Sequence, residues 1–166
     1  IKELLKGLSH EERVKILHME SRNGETPLWI AAWYGHDNVI KELLQGLSPE
    51  KRLECLHMAD NYGYTPLYIA ASEGHANVIK ELLQGLILDE RVKYLHRATK
   101  RGYTPLHIAA QRGDSSAINE LLQGLSPEER IKYLNKANRD GVTPLDIAVQ
   151  KGHVNVVSLF KEYEKQ

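Results

Sequence analysis

Residues 38–47, "NVIKELLQGL", place apolar side chains at Val39, Ile40, Leu43, Leu44 and Leu47, with Lys41 and Glu42 between them. Apolar pairs three and four positions apart form one stripe on a helix and leave the charges outside. The same ten letters return at 77, and "SAINELLQGL" stands at 116. Upstream lies a second apolar block: "TPLWIAAW" at 26, "TPLYIAAS" at 65, "TPLHIAAQ" at 104 and "TPLDIAVQ" at 143. Downstream lies a third: "SPEKRLECLH" at 48, "ILDERVKYLH" at 87 and "SPEERIKYLN" at 126. All three blocks recur every 39 residues without drift, which makes the chain an internal repeat. Its first residues, "IKELLKGLSHEERVKILH", match the second half of the unit. The expected organisation is one array: a half-unit at 1–19, units one to three at 20–58, 59–97 and 98–136, and a closing unit four at 137–166.

Each block predicts an element. Thr26, Thr65, Thr104 and Thr143 precede proline, which suits an N-cap threonine with proline at the first helical position. The helix runs through Leu-x-Ile-Ala-Ala and stops near Gly35, Gly74, Gly113 or Gly152. Its paired alanines keep it thin, so a neighbour packs close. The Val-Ile-Leu-Leu stripe is the second helix, and "SPEE" or "SPEK" starts a short third one whose buried edge is Leu53 and Leu56 in unit one. Turn residues such as "NYG", "KRG" and "RDG" form a hairpin-like loop before each TPL. Leu28, Ile30, Ala31 and the second-helix stripe are the expected core.

With these residues in view, the chain resembles an ankyrin-repeat protein. The likeness rests on four Gly-x-Thr-Pro-Leu-x-Ile-Ala stretches, the Gly-His after three of them, and the Leu-Leu of the second helix. The resemblance implies an all-α solenoid of stacked helix–turn–helix units that binds proteins and is not an enzyme. One departure is clear: the family period is about 33, and the excess here falls where the third helix replaces a short loop. The divergent "VVSLFKEYEKQ" reads as a C-terminal cap, and the leading half-unit as the other.

Comparing the units with one another locates the tuned surface. Units one and two are identical over the second helix, yet they differ along the loop and outward first-helix positions. Unit one carries Arg22, Asn23, Glu25, Trp29, Trp33 and Tyr34 there; unit two carries Asn61, Tyr62, Tyr64, Tyr68, Ser72 and Glu73. Unit three carries Lys100, Arg101, Tyr103, His107, Gln111 and Arg112; unit four carries Arg139, Asp140, Val142, Asp146, Gln150 and Lys151. In the family these positions line the concave partner-binding groove, so they are the candidate contact residues, from Arg22 to Asp140. Tyrosine and tryptophan give large contact area at low entropy cost. For Trp29 and Tyr68 an alternative stays open, because that position looks partly inward in this family and its ring then packs between units.

Charge adds a gradient. Basic and acidic residues balance at 22 each, so no global field favours nucleic acid or an anionic membrane. Locally, aromatics gather in units one and two, while Lys100, Arg101, Arg112, Arg139 and Lys151 gather in units three and four. A protein partner with an apolar patch and an acidic patch suits that groove. No apolar run approaches the roughly 20 residues of a membrane helix, and no signal-peptide pattern opens the chain. Cys55 is the single cysteine, expected as a small core residue in a reducing compartment such as the cytoplasm.

Other chemistry finds little support. His36, His75 and His153 occupy equivalent positions, about 10 Å apart at helix-packing distance, too far to share a metal at about 2 Å. They are read as structural. His107 and Asp146 are equivalent in neighbouring units and close enough to suggest a mutual hydrogen bond, but no nucleophile accompanies them. No cofactor motif is present, acidic residues interrupt any basic face for nucleic acid, and a monomer is expected. Two readings remain, a protein-binding module and a structural segment of a larger bacterial-effector-like protein. The fixed framework with varied groove positions is similar to engineered ankyrin binders. Changes such as Ile87-Leu88 for Ser-Pro look instead like drift in a natural array.

Overall fold

A computed structural model describes residues 2–166, among which there are thirteen helices and no strands. In chain order they are α1 (Lys2–Leu5), α2 (His10–Leu17), α3 (Pro27–Trp33), α4 (Asp37–Leu44), α5 (Pro49–His57), α6 (Pro66–Glu73) and α7 (Ala76–Leu83). There follow α8 (Leu88–Leu95), α9 (Pro105–Arg112), α10 (Ser115–Leu122), α11 (Pro127–Leu134), α12 (Pro144–Lys151) and α13 (Val154–Glu164). First helices stack as α3, α6, α9 and α12, and second helices as α4, α7, α10 and α13. The short third helices pack behind, α5 against α6 and α8, and α11 against α13.

Capping explains the first-helix starts. Thr26, Thr65 and Thr143 accept from the amides of Trp29, Tyr68 and Asp146 at 3.1, 3.2 and 3.2 Å. Ser48 and Ser126 do the same for α5 and α11. Where Ile87 replaces that serine, no side-chain acceptor remains, but Glu90 still accepts from the Ile87 amide at 3.2 Å. Asp114, standing where other units have histidine, caps α10 by accepting from Ala117 at 3.0 Å.

The core is the seam between stacked layers: alanines 31, 32, 70, 71, 109 and 110 are buried, as are Leu43, Leu82 and Leu121 with their neighbours. The third helix contributes differently from the expected Leu53–Leu56 edge. Leu53 is only half-buried, and the deep pair is adjacent, Cys55–Leu56, Tyr94–Leu95 and Tyr133–Leu134. Burial pushes the Cys55 thiol up to about 11, so it stays protonated and unreactive at neutral pH. A second correction concerns Ile30. Its equivalent Ile69 is buried against α3, but Ile30 is 41% exposed because no first helix precedes α3 among the described residues.

A row of arginines, legible as Arg13, Arg52 and Arg91 but not singled out above, ties each unit to the next. Arg13 donates to the carbonyls of Glu42 and Gln45, and Arg52 to those of Glu81 and Gln84, at 2.7–3.3 Å. Arg91 reaches Glu120 at 3.2 Å. These carbonyls end the second helices and have no partner inside them, so a guanidinium is a natural C-terminal cap. Arg130 instead lies over the Tyr163 ring at 4.7 Å and donates to Gln166.

Candidate functional site

The loops that carry the candidate residues are held by short polar side chains. Ser21, Asp60, Thr99 and Asn138 each accept from amides two or four residues on, including those of Glu25, Tyr64, Tyr103 and Val142. Such turns fix the tip residues without using their side chains. Adjacent tips are then stitched by backbone: Asn61 donates to the Asn23 carbonyl at 2.9 Å, and Arg139 to that of Arg101 at 3.2 Å. Asn61 also donates from its side chain to Arg22.

Arg22, Asn23, Tyr62, Lys100, Arg101, Arg139 and Asp140 are exposed at these tips. Trp33, Tyr34, Gln111 and Arg112 are exposed at the ends of the first helices; Glu25, Tyr64, Ser72, Glu73 and Tyr103 are half-buried. The alternative left open for Trp29 and Tyr68 is the one the structure adopts, at 6% and 9% exposure. Trp29 stacks under Trp33 with ring centroids 5.2 Å apart, and Tyr68 under Tyr64 at 4.8 Å. Trp29 is thus a floor for the exposed Trp33 ring, and Tyr68 for the half-buried Tyr64. His107 is a correction: it is fully buried and so no contact residue. Its Nδ1 accepts from the Thr104 amide and hydroxyl at 3.1 and 2.8 Å, and its Nε2 donates to the Val142 carbonyl at 3.1 Å. Asp146 bonds to Thr143 instead, so the suggested His107–Asp146 pair does not form. His75 and His153 donate to the carbonyls of Trp33 and Gln111 at 3.0 and 2.9 Å, bridging alternate ends of the stack. Among the described residues no cluster of ligands could hold a metal ion.

Two depressions open on this face. One, of about 330 Å³, lies beside Glu25, Trp29, Ile30, Trp33 and Tyr34. The other, of about 370 Å³, lies between the second and third tips, lined by Tyr62, Tyr64, Tyr68 and Tyr103 with Lys100 and Arg101. Crevices of similar size separate the second-helix ends, but their walls include residues shared by units one to three, such as Gln45, Gln84 and Gln123. Size alone does not distinguish the two faces; variation among units does. Ile30 and Ile108 also line the variable depressions, and no comparison of units reveals them, because isoleucine stands there in every unit.

Buried imidazoles make stability pH-dependent. His57 and His107 are held below their ordinary 6.5 mainly by burial, reinforced at His57 by Arg97; at His96 burial acts together with Lys136. The unfolded chain therefore binds more protons as pH drops. This part of the stability is complete above about 6.5 and is lost as pH falls from there through the lowered folded values. The urea midpoint should be lower at pH 5 than at pH 7.5, and an unchanged midpoint contradicts the burial of these rings.

No helix among the described residues is long and apolar enough to cross a membrane. No curated protein matches the sequence. A family model described as ankyrin repeats (3 copies) matches residues 1–92 and again 86–166. Domains of this kind are generally protein–protein interaction modules and typically not enzymes. Stacked helix pairs, hairpin loops and two overlapping matches covering every residue all agree: the chain belongs to the ankyrin-repeat family.

Proposed function

We propose that the chain is a non-enzymatic module that binds a protein partner across the loop tips and the outer side of the first helices. The partner carries an apolar patch over units one and two and an acidic patch over units three and four. The observation that supports this most is the concentration of exposed aromatics on one face, Trp33 at 42%, Tyr34 at 65% and Tyr62 at 63%. Large exposed apolar patches generally mark an interaction surface. The rings are also pre-positioned: Tyr62 stacks on Tyr64 at 5.9 Å and Tyr64 on Tyr68, which limits the entropy lost on contact. Lys100, Arg101, Arg112 and Arg139 supply the basic end, and they are exposed.

A spacer within a larger scaffold needs no such surface. The two readings separate on one experiment. Replacing Trp33, Tyr62 and Tyr64 together by alanine should weaken a partner, captured with the intact chain and then purified, by about tenfold to a hundredfold. The circular dichroism of the variant should remain that of the parent. Unchanged affinity removes the groove reading.

A further inference from the structure

The depression between the second and third tips has more chemistry than an apolar cleft needs. Its floor is a row of rings, Tyr62 on Tyr64 on Tyr68, the last two stacked nearly parallel, at 6°. Tyr64, Tyr68 and Tyr103 are gathered along it, and burial first, then the neighbouring Tyr64 and Tyr103 phenols, pushes the Tyr68 phenol up. Among the described residues, the tyrosine hydroxyls engaged within the protein are those of Tyr133 and Tyr163, which leaves the gathered ones uncommitted. At the rim, Lys100 donates to the Asn61 carbonyl and keeps its remaining N–H groups. Arg101 has Asp140 at 3.8 Å, with both side chains well exposed. Asp60, between the two tips, is buried and occupied by the Tyr62 and Tyr64 amides.

We infer that this depression seats a Glu or Asp carboxylate of an extended protein segment, with the neighbouring residue lying on the exposed Tyr62 ring. The inference rests on the groove reading above and narrows it to one subsite. Aromatic faces also attract cations, but Lys100 and Arg101 repel one, and no carboxylate lines the depression to hold it. With Arg101 partly offset by Asp140, the surplus is about one positive charge, which matches a carboxylate better than a phosphate dianion.

The test is a two-dimensional amide spectrum of the isotopically labelled chain, titrated with the peptide acetyl-Gly-Ser-Pro-Glu-Gly-Ser-amide. Versions with Gln or Lys for the Glu, and a deoxythymidine octamer, form the other arms. The Glu peptide should move the signals of residues 62–64 and 100–103, with the Gln version about fivefold weaker and the Lys version silent. Lys100→Gln with Arg101→Gln should cost about tenfold. Tyr64→Phe with Tyr103→Phe should cost a few-fold, because the stacking rings remain and only donors leave. Equal binding of the Gln peptide, or shifts confined to another surface, overturns the inference. Tighter binding of the octamer at the same signals overturns it too, assigning the rings to base stacking. The two readings also part company. If the Trp33/Tyr62/Tyr64 alanine variant loses a purified partner while the Lys100/Arg101 variant keeps it, the groove stands and the carboxylate seat does not. If both variants keep the partner, both ideas fall.

Discussion

Replacing Tyr133 by alanine should lower the unfolding free energy by about 3–5 kcal/mol, the range for removing a large buried ring. The side chain is fully buried on α11, with His96 tilted against it at 4.9 Å. Its hydroxyl also has a structural task, accepting from the Leu106 amide at 3.2 Å. That amide is in the first turn of α9, where a helix has no carbonyl of its own to offer. Tyr133→Phe keeps the ring and leaves the amide unsatisfied, so it should cost about 1–2 kcal/mol. The measurement can be local. Both tryptophans are in unit one, so their fluorescence reports that end, while circular dichroism reports every helix. In the alanine variant the circular-dichroism transition should move to lower urea than the fluorescence transition. Coincident transitions at the parent midpoint would contradict the packing described for Tyr133.

Gly102→Ala should be nearly as damaging, at about 3 kcal/mol, and for a different reason. Gly102 has φ +83°, which costs an alanine about 1–2 kcal/mol by itself. A Cβ there would also stand 2.8 Å from the Arg139 backbone nitrogen and 3.2 Å from the Asn138 Cα. Neither atom can swing aside as a flexible side chain could, and Arg139 is the donor that joins the third and fourth tips. Gly141 is the natural control, with φ +76° and nothing within 4 Å of its added Cβ. Gly141→Ala should cost only the backbone strain, about 1 kcal/mol. Similar thermal midpoints for the two variants would show that the stitching between tips carries little of the stability.

The helix pairs and their caps were readable because their chemistry is local. A threonine before proline states where a helix begins, and the recurring Val-Ile-Leu-Leu stripe states which face turns in. Burial set by a neighbouring unit is not written in any one repeat. Ile30 carries the same letter as Ile69, yet one is exposed and the other covered, because covering depends on whether a first helix lies upstream. His107 misleads in the opposite direction. A position varies among units when it faces outward, but also when it packs against a varying neighbour. The Val142 carbonyl above His107 and the Thr104 hydroxyl beside it make imidazole a core group there. Tyr94 and Tyr133 are not legible as core because their position holds Ile16, Cys55, Tyr94 and Tyr133 in turn, so no repeated apolar letter marks it. Arg13, Arg52 and Arg91 are hidden in the opposite way: an arginine repeated on every third helix looks like solvated framework until its carbonyl partners are placed.

The forward reach of those arginines has a consequence for how such an array changes length. Arg13, Arg52 and Arg91 each serve the helix end one period ahead and none behind. A 39-residue segment copied in register therefore arrives with its own forward clasp and receives the one from its predecessor. Removing a whole period leaves the same complement of donors and carbonyls at the joint. Gain or loss of one period by unequal recombination should thus yield a folded chain at once, whereas a shift by any other length strands a guanidinium against the wrong turn. Lengthening the face that meets a partner then needs no new junction, only new side chains at the tips.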